Sequence, residues 1–335
     1  MKNSIFFNTI YSDYFNLNEN KKLHTNKEAI ANVVLKSGFS IAKKIAIFRD
    51  LNEIDLSLIK NSAVLKYGCG WSSLGVMILQ KFRENIYFNH MNKKCYSYED
   101  ILLFQKQVAE KFSAKEDYWI LEEFIESSND VGIIPFDYKF YVINGLLKLV
   151  IQIDRNVFPP KIAVFDSSFC PMKHGKDYEI KNAKDFSVGV PVIPLNAYEM
   201  VGMAQELSRL PKEKFVSVDL YDAPCGPYFG EFTFSPGLIA KENVIFSEDV
   251  VKDLDRSFVG DFFNGVRESQ GVNIPPPLYS ALARNAYRGV VGSAKALANL
   301  YWRLEENSGA DSLSKKSARF MKKSWNNVSE YIEEI

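Results

Sequence analysis

The stretch "VSVDLYDAPCGPYFGEFTFSPG" (216–237) places two carboxylates where they can act together. Apolar residues alternate on both sides of the turn-forming "DAPCGP", which predicts a β-hairpin with Asp219 on one arm and Glu231 on the other. A carboxylate pair on facing arms suits a hard cation such as magnesium, which takes oxygen ligands and completes its shell with phosphate. Thr233, two residues beyond Glu231, falls on the same strand face. The same spacing also fits two surface acids on an edge strand, and the pair by itself leaves both readings open.

A second stretch, "AVLKYGCGWSSLG" (63–75), is a β-rich run ending in Lys66, then a loop with Gly68, Gly70, Ser72, Ser73 and Gly75. Glycines let backbone N–H groups approach a phosphate, and a lysine at the strand end adds a point charge. The order G-x-x-x-x-G-K-[ST] is absent, so this is no P-loop. An ordinary turn has the same composition.

The elements that must carry these residues are mixed. "TNKEAIANVVLKSG" predicts a helix capped at Thr25 or Asn26, with Ile30, Val33 and Val34 on one face and Gly38 as its stop. "SIAKKIAIF" and "NSAVLKYG" read as strands, and "GVMILQKF" as a strand or a helix. "YEDILLFQKQVAEKFS" is an amphipathic helix with Ile101, Phe104, Val108 and Phe112 on one stripe, followed by the strand "YWILEEFI". "DYKFYVINGLLKLVIQIDRN" predicts two antiparallel strands joined at Asn144–Gly145. "NAYEMVGMAQELSRL" is a capped helix, and from about residue 246 the chain reads as largely helical.

Composition removes several classes of function. The chain of 335 residues is 47% hydrophobic and 24% charged, which excludes a disordered chain. Lys plus Arg and Asp plus Glu are 41 each, so no global charge attracts nucleic acid or anionic lipid. Apolar runs such as "LLKLVIQI" are far shorter than the ~20 residues of a membrane span. "MKNSIFFNTIYSDYF" has no apolar signal region, and the four cysteines form no C-x-x-C pair; the expectation is a cytoplasmic protein. Three histidines without metal-ligand spacing leave catalysis to lysines, carboxylates and backbone.

Taken in order, these pieces resemble the ATP-grasp ligases, and most closely the TupA-like branch associated with teichuronopeptide biosynthesis. Lys27, opening a helix in "NK", and Lys66 are similar to the family's two nucleotide lysines, and "GCGWSSLG" to its phosphate-covering loop, giving Gly70, Ser72 and Ser73 as phosphate contacts. "ILEEFI" resembles the adenine hinge, with Glu122, Glu123, Phe124 and Ile125. Within "IPFDYKFYVINGLLKLV", Asp137 stands where the family binds ribose hydroxyls. Lys139 and Arg155 are carried over as contacts to phosphate or to the carboxylate substrate. Asp219, Glu231 and Thr233 match the metal segment, Thr233 standing where most members carry asparagine. Ser217 departs from the pattern, since the family commonly has an arginine there; Arg155 across the sheet is the candidate replacement.

The resemblance implies an α+β, ATP-grasp fold with the nucleotide between two α+β lobes. Residues 1–26 form an N-terminal segment, 27–128 a first lobe with phosphate loop 67–75, 129–245 a second lobe with the metal site, and 246–335 a largely helical extension. It implies ATP with Mg2+, or Mn2+ in its place, and amide-bond formation through an acyl phosphate. The partners are a small-molecule carboxylate and an amine, one an amino acid and the other a sugar acid, peptide or polysaccharide precursor. Rival readings are a phosphotransferase acting on a hydroxyl and a catalytically silent nucleotide-binding partner protein. The extension is open to three roles: bracing the ATP lobe, forming a homodimer contact, or shaping the acceptor site. Its segment "SKKSARFMKK" reads as a solvated basic face.

Overall fold

The structure is a computed structural model that describes residues 4–15, 21, 24–70, 73–112, 114, 116–128, 132–235, 243–260 and 276–307. The fold is α+β, built on a large seven-stranded sheet and a smaller six-stranded one. Helix α1 (Ile5–Phe15) leads into α2 (Lys27–Lys36), which starts behind Asn26; the Asn26 Oδ1 accepts the N–H groups of Glu28 and Ala29 at 3.0 and 2.9 Å. α2 buries Ile30, Ala31 and Val34, while Val33 stays 39% exposed. Its contact stripe is therefore rotated toward Ala31, because its partner is the large sheet on that side.

"SIAKKIAIF" is not one strand. It divides into β1 (Ser40–Ile41), parallel to a strand of the large sheet, and β2 (Lys44–Phe48), on the edge of the small sheet. The small sheet continues with β3 (Ser62–Tyr67), β4 (Met77–Arg83), β5 (Ile86–Asn89), β6 (Lys94–Ser97) and β7 (Trp119–Glu123). Its order is β2-β7-β3-β4-β5-β6, antiparallel throughout. "GVMILQKF" thus resolves as a strand, paired on both sides. Helix α3 (Tyr98–Phe112) covers one face, burying Ile101 and Val108 against Leu65, Leu79 and Trp119, with Phe104 and Phe112 at the margin. Each such aliphatic side chain stabilises by about 1.5–3 kcal/mol. The other face is left with the small cluster of Val64, Ile78 and Ile134.

The large sheet begins with the hairpin β8 (Asp137–Ile143) and β9 (Leu146–Asp154). Asn144 and Gly145 have φ of +50° and +75°, as a two-residue hairpin turn with the native strand twist requires. β10 (Lys161–Asp166) follows; β11 (Tyr178–Ile180) pairs elsewhere, and β12 (Ser187–Val188) closes the edge. After helix α4 (Ala197–Leu207) come β13 (Phe215–Ala223) and β14 (Gly226–Thr233). The order is β1-β14-β13-β8-β9-β10-β12. β15 (Val244–Phe246) pairs with β11, and α5 (Glu248–Val259), α6 (Pro276–Tyr287) and α7 (Ser293–Asn307) complete the described chain.

One face of the large sheet carries the main core, covered by α2 and α4 and by Leu278, Leu282, Leu297 and Leu300 of α6 and α7. The two C-terminal helices therefore brace this sheet; the Ile193 N–H also donates to the Val291 carbonyl at 2.9 Å. "SKKSARFMKK" lies outside the described residues. On the opposite face, α1, α5, β11 and β15 contribute to a second core with Tyr141, Ile143, Leu149, Ile151 and Ile153. Among the described residues, Asp137, Lys139 and Asp219 share this face as a largely buried polar group beside that core.

Candidate active site

Three neighbouring strands put the charged residues on one face. Register pairs Asp219 of β13 with Lys139 of β8 on one side and Glu231 of β14 on the other, while Ser217 pairs with Tyr141 and Thr233, and Tyr221 with Asp137. The Asp219–Glu231 pairing survives a bulge. Glu231 opposes Asp219 but Phe229 opposes Leu220, so Gly230 is the extra residue. The bulge lets Phe229 and Phe232 both enter the main core while Glu231 and Thr233 stay on the charged face. A Cβ on Gly230 would lie 2.9 Å from the Tyr221 ring and 3.1 Å from the Asp219 carbonyl, so only glycine fits.

Asp219 is 1% exposed and pairs with the Lys139 ammonium, whose Nζ also lies 3.2 Å from Asp137 Oδ2. The Ser217 hydroxyl donates to Asp219 Oδ1 at 2.8 Å. Arg155, just beyond β9, lies 3.5 Å from Asp137 Oδ2. Burial works against the Lys139 charge, but Asp137, Asp219 and Glu231 together hold its proton affinity well above the ordinary lysine value. Burial raises the Asp219 carboxyl pKa; Lys139 opposes the rise, Asp137 and Glu231 add to it, and the net shift is upward. Asp137 Oδ1 is buried without a hydrogen-bond partner. Glu231 is exposed and Thr233 half-buried.

The facing side comes from α2 and the small sheet. Lys27, the first residue of α2, donates from Nζ to the carbonyls of Gly70 at 2.8 Å and Tyr67 at 3.3 Å. Burial lowers its pKa, Glu231 and Glu122 raise it, and Lys66 adds to the lowering, which places it among all three charges. Lys66 forms an ion pair with Glu122. The register Val64↔Glu122 and Lys66↔Ile120 puts these two side chains on the same face, one step apart on the diagonal.

The structure does not gather all the residues singled out in the sequence. Glu123 turns to the other side of β7, where its carboxylate lies 3.8 Å from Lys43 and its N–H donates to the Lys43 carbonyl. Phe124 packs beside Val64, Ile78 and Ile134, and Ile125 is half-buried beyond the strand end. A cavity of about 820 Å³ opens next to Phe124, lined in part by Asn61, Gln80, His90 and Glu126. Gly70 faces Lys27 with its carbonyl, and Ser73 has a left-handed φ of +60°. Ser72 and Trp71 lie outside the described residues.

Some participants escaped the sequence reading. Tyr221 shares the face of Asp219; alternation along β13 is the signal that finds it. Burial, with Asp137 and Glu231 nearby, raises its phenol pKa. Asp222 points the other way and fastens the segment after β7: it accepts from the Ser128 hydroxyl, and its carbonyl accepts the Ser128 N–H at 3.2 Å. The Asn156 side chain holds Ile134 by its N–H and its carbonyl, at 2.9 and 2.8 Å. Asn196, read as the cap of α4, instead donates to Asp222 Oδ1 and the Ala223 carbonyl, at 2.7 and 2.8 Å.

Among the described residues no three His, Cys, Asp or Glu side chains form a metal cage. Magnesium needs none, since one or two carboxylates and phosphate oxygens suffice. The all-oxygen set of Asp219, Glu231 and Thr233, beside the unpartnered buried Asp137 Oδ1, fits a hard cation of that kind.

Lys27 and Lys66, with Glu122, lie on one side and Asp137, Asp219 and Glu231, with Lys139 and Arg155 among them, on the other, a mixed charge distribution suited to an anionic ligand carrying a cation. Residues 16–256, well over half of the chain, match the family described as TupA-like ATPgrasp, and the chain belongs to that family. A search of curated proteins gives no match. Among solved structures, the ATP-grasp ligase PsnB complexed with its precursor peptide PsnA2 and AMPPNP aligns at 12% identity and TM-score 0.37, covering 71% of this chain and 61% of that one. The D-alanine–D-alanine ligase of Bacillus anthracis aligns at 15% identity and TM-score 0.42, covering 76% and 74%. That of Helicobacter pylori aligns at 15% and 0.42, covering 70% and 61%. The chain thus spans about three-fifths of the PsnB length. Among the described residues, no helix is long and apolar enough to cross a membrane.

Proposed function

We propose that the protein is an ATP-dependent carboxylate–amine ligase working through an acyl phosphate. The observation that carries this reading is the family match together with Lys27, on which the Glu231 carboxylate of the Asp219–Glu231 pair acts along with Lys66 and Glu122. Lys27 and Lys66 bind the polyphosphate, and Phe124, Val64 and Ile78 offer an apolar wall for the base. Asp137 receives the ribose hydroxyls. Asp219, Glu231 and Thr233 hold Mg2+, which supplies charge neutralisation on the phosphates when bound.

A substrate carboxylate oxygen attacks the γ-phosphorus, the bond to the bridging oxygen breaks, and ADP leaves. The amine nitrogen then attacks the acyl carbon, inorganic phosphate leaves and the nitrogen loses a proton. Lys139 and Arg155 are the cations positioned for the transferred phosphoryl group or the carboxylate. This chemistry depends on positioning and electrostatics more than on proton transfer, in keeping with a site of lysines and carboxylates. The TupA-like branch favours an amino acid joined to a sugar acid or peptide of a surface polysaccharide, in the cytoplasm. Ser217, engaged with Asp219, favours a second reading in which a hydroxyl takes the phosphoryl group and no acyl phosphate needs an arginine.

Phosphorus NMR of the protein with Mg-ATP and pooled amino acids and uronic acids, beside a Glu231→Gln control, tests this. ADP and free phosphate that require both an acid and an amine support the ligase. A phosphorylated product formed without amine replaces it with the phosphotransferase, and tight ATP binding without turnover overturns both.

A further inference from the structure

Lys139 sits where an incoming cation would have to go. Its ammonium group lies against Asp219 and 3.2 Å from Asp137, on the face that also carries Glu231, and its side chain is 13% exposed. Around it stand three carboxylates, Asp137, Asp219 and Glu231, and the further cation Arg155, with Lys27 facing from α2. The face is close to charge balance without any ion. A dication arriving alone meets an ammonium group already neutralising Asp219, and displacing that group strands a buried positive charge. A dication arriving on a polyphosphate brings anionic oxygens onto which the lysine can turn. Asp137 Oδ1, buried and without a hydrogen bond, shows that the cluster keeps acceptor capacity beyond what Lys139 uses.

We infer that Lys139 is a specificity-determining residue that bars free divalent cations from the Asp219–Glu231 pair and admits them only as a complex with a polyphosphate. This rests on the reading of that face as a metal–nucleotide site. The resident cation thereby makes cation affinity conditional on the nucleotide.

Equilibrium dialysis with Mn2+ as the probe, on the full chain with and without AMPPNP, tests the inference in the native protein and in Lys139→Gln, which keeps a donor beside the acids. The native protein is expected to retain Mn2+ tightly only with AMPPNP, and Lys139→Gln to bind Mn2+ alone at least about tenfold more tightly than the native protein does. Native protein that binds Mn2+ equally well without nucleotide, or a variant that still requires it, overturns the inference and leaves the ligase reading standing. Absence of Mn2+ binding even with AMPPNP overturns both. The two titrations of native protein decide the matter if the variant does not fold.

Discussion

Each of the two main sheets carries a lysine–carboxylate site, and the two sites differ in stoichiometry. Lys66 and Glu122 on the small sheet form a one-to-one pair whose side chains are 23% and 11% exposed. On the large sheet Lys139 serves both Asp219 and Asp137, Arg155 shares Asp137, and Glu231 stands opposite Asp219. A one-to-one pair is complete without a ligand. A network in which carboxylates share cations, and in which one buried oxygen lacks a partner, can take a further cation only if its lysine turns onto an accompanying anion. Under the proposed function, phosphate binding belongs to the small-sheet side and management of cations to the large sheet.

The sharpest way to break this contrast is to remove each lysine. Lys139→Met strands two buried acids and is expected to cost about 3–5 kcal/mol of stability, whereas Lys66→Met, in a wetter pair, costs about 1 kcal/mol; urea unfolding of both reads the difference. Equal losses would erase the distinction. Asp219→Asn is expected to lower turnover about 10²-fold or more, while Glu122→Gln mainly weakens ATP binding; ADP release at varied ATP separates them. Gly230→Ala forces the Tyr221 ring and the Asp219 backbone apart and is expected to cost about 1–3 kcal/mol, measured by thermal unfolding. Ser128→Ala removes one hydrogen bond to Asp222 and is expected to cost about 1 kcal/mol, with a severalfold loss of ATP affinity by calorimetry.

The smallest effect is one of pH. Burial lowers the proton affinity of Lys27 in the folded chain, so just below the ordinary lysine range the unfolded chain holds more protons than the folded one. Stability contributed through this residue therefore rises with pH in that window. Across that window the urea midpoint of the native protein should rise relative to that of Lys27→Met; parallel profiles would remove Lys27 as the source of the slope.

What the sequence discloses about this fold depends on range. Asn26 as a helix cap, the Asn144–Gly145 turn and the hairpin joining Asp219 to Glu231 follow from turn chemistry and strand alternation within a few residues, and the geometry has all three. The division of "SIAKKIAIF" is different, because Ser40 and Lys44 stand opposite Tyr228 and Glu122, in different sheets. No local pattern encodes that. Asn196 shows the same limit: its position before α4 suits a cap, yet Asp222 from another strand takes its side chain. In the site, residue types were legible on single strands, while the sharing of Lys139 between Asp137 and Asp219 exists only once β8 and β13 lie side by side.

The split of that early segment has a mechanical corollary. Chain passes from the large sheet into the small one through Ala42 and Lys43, between β1 and β2, and returns through the segment between β7 and β8. The two passages touch, since the Glu123 N–H bonds to the Lys43 carbonyl at 2.9 Å. A body hinged at that seam, and held elsewhere by the Lys27 bonds to the Tyr67 and Gly70 carbonyls, would turn about it like a cover on its spine once those bonds exchange. The lysines of the small sheet would then travel on an arc toward the acids of the large one, with every ladder hydrogen bond in either sheet left intact.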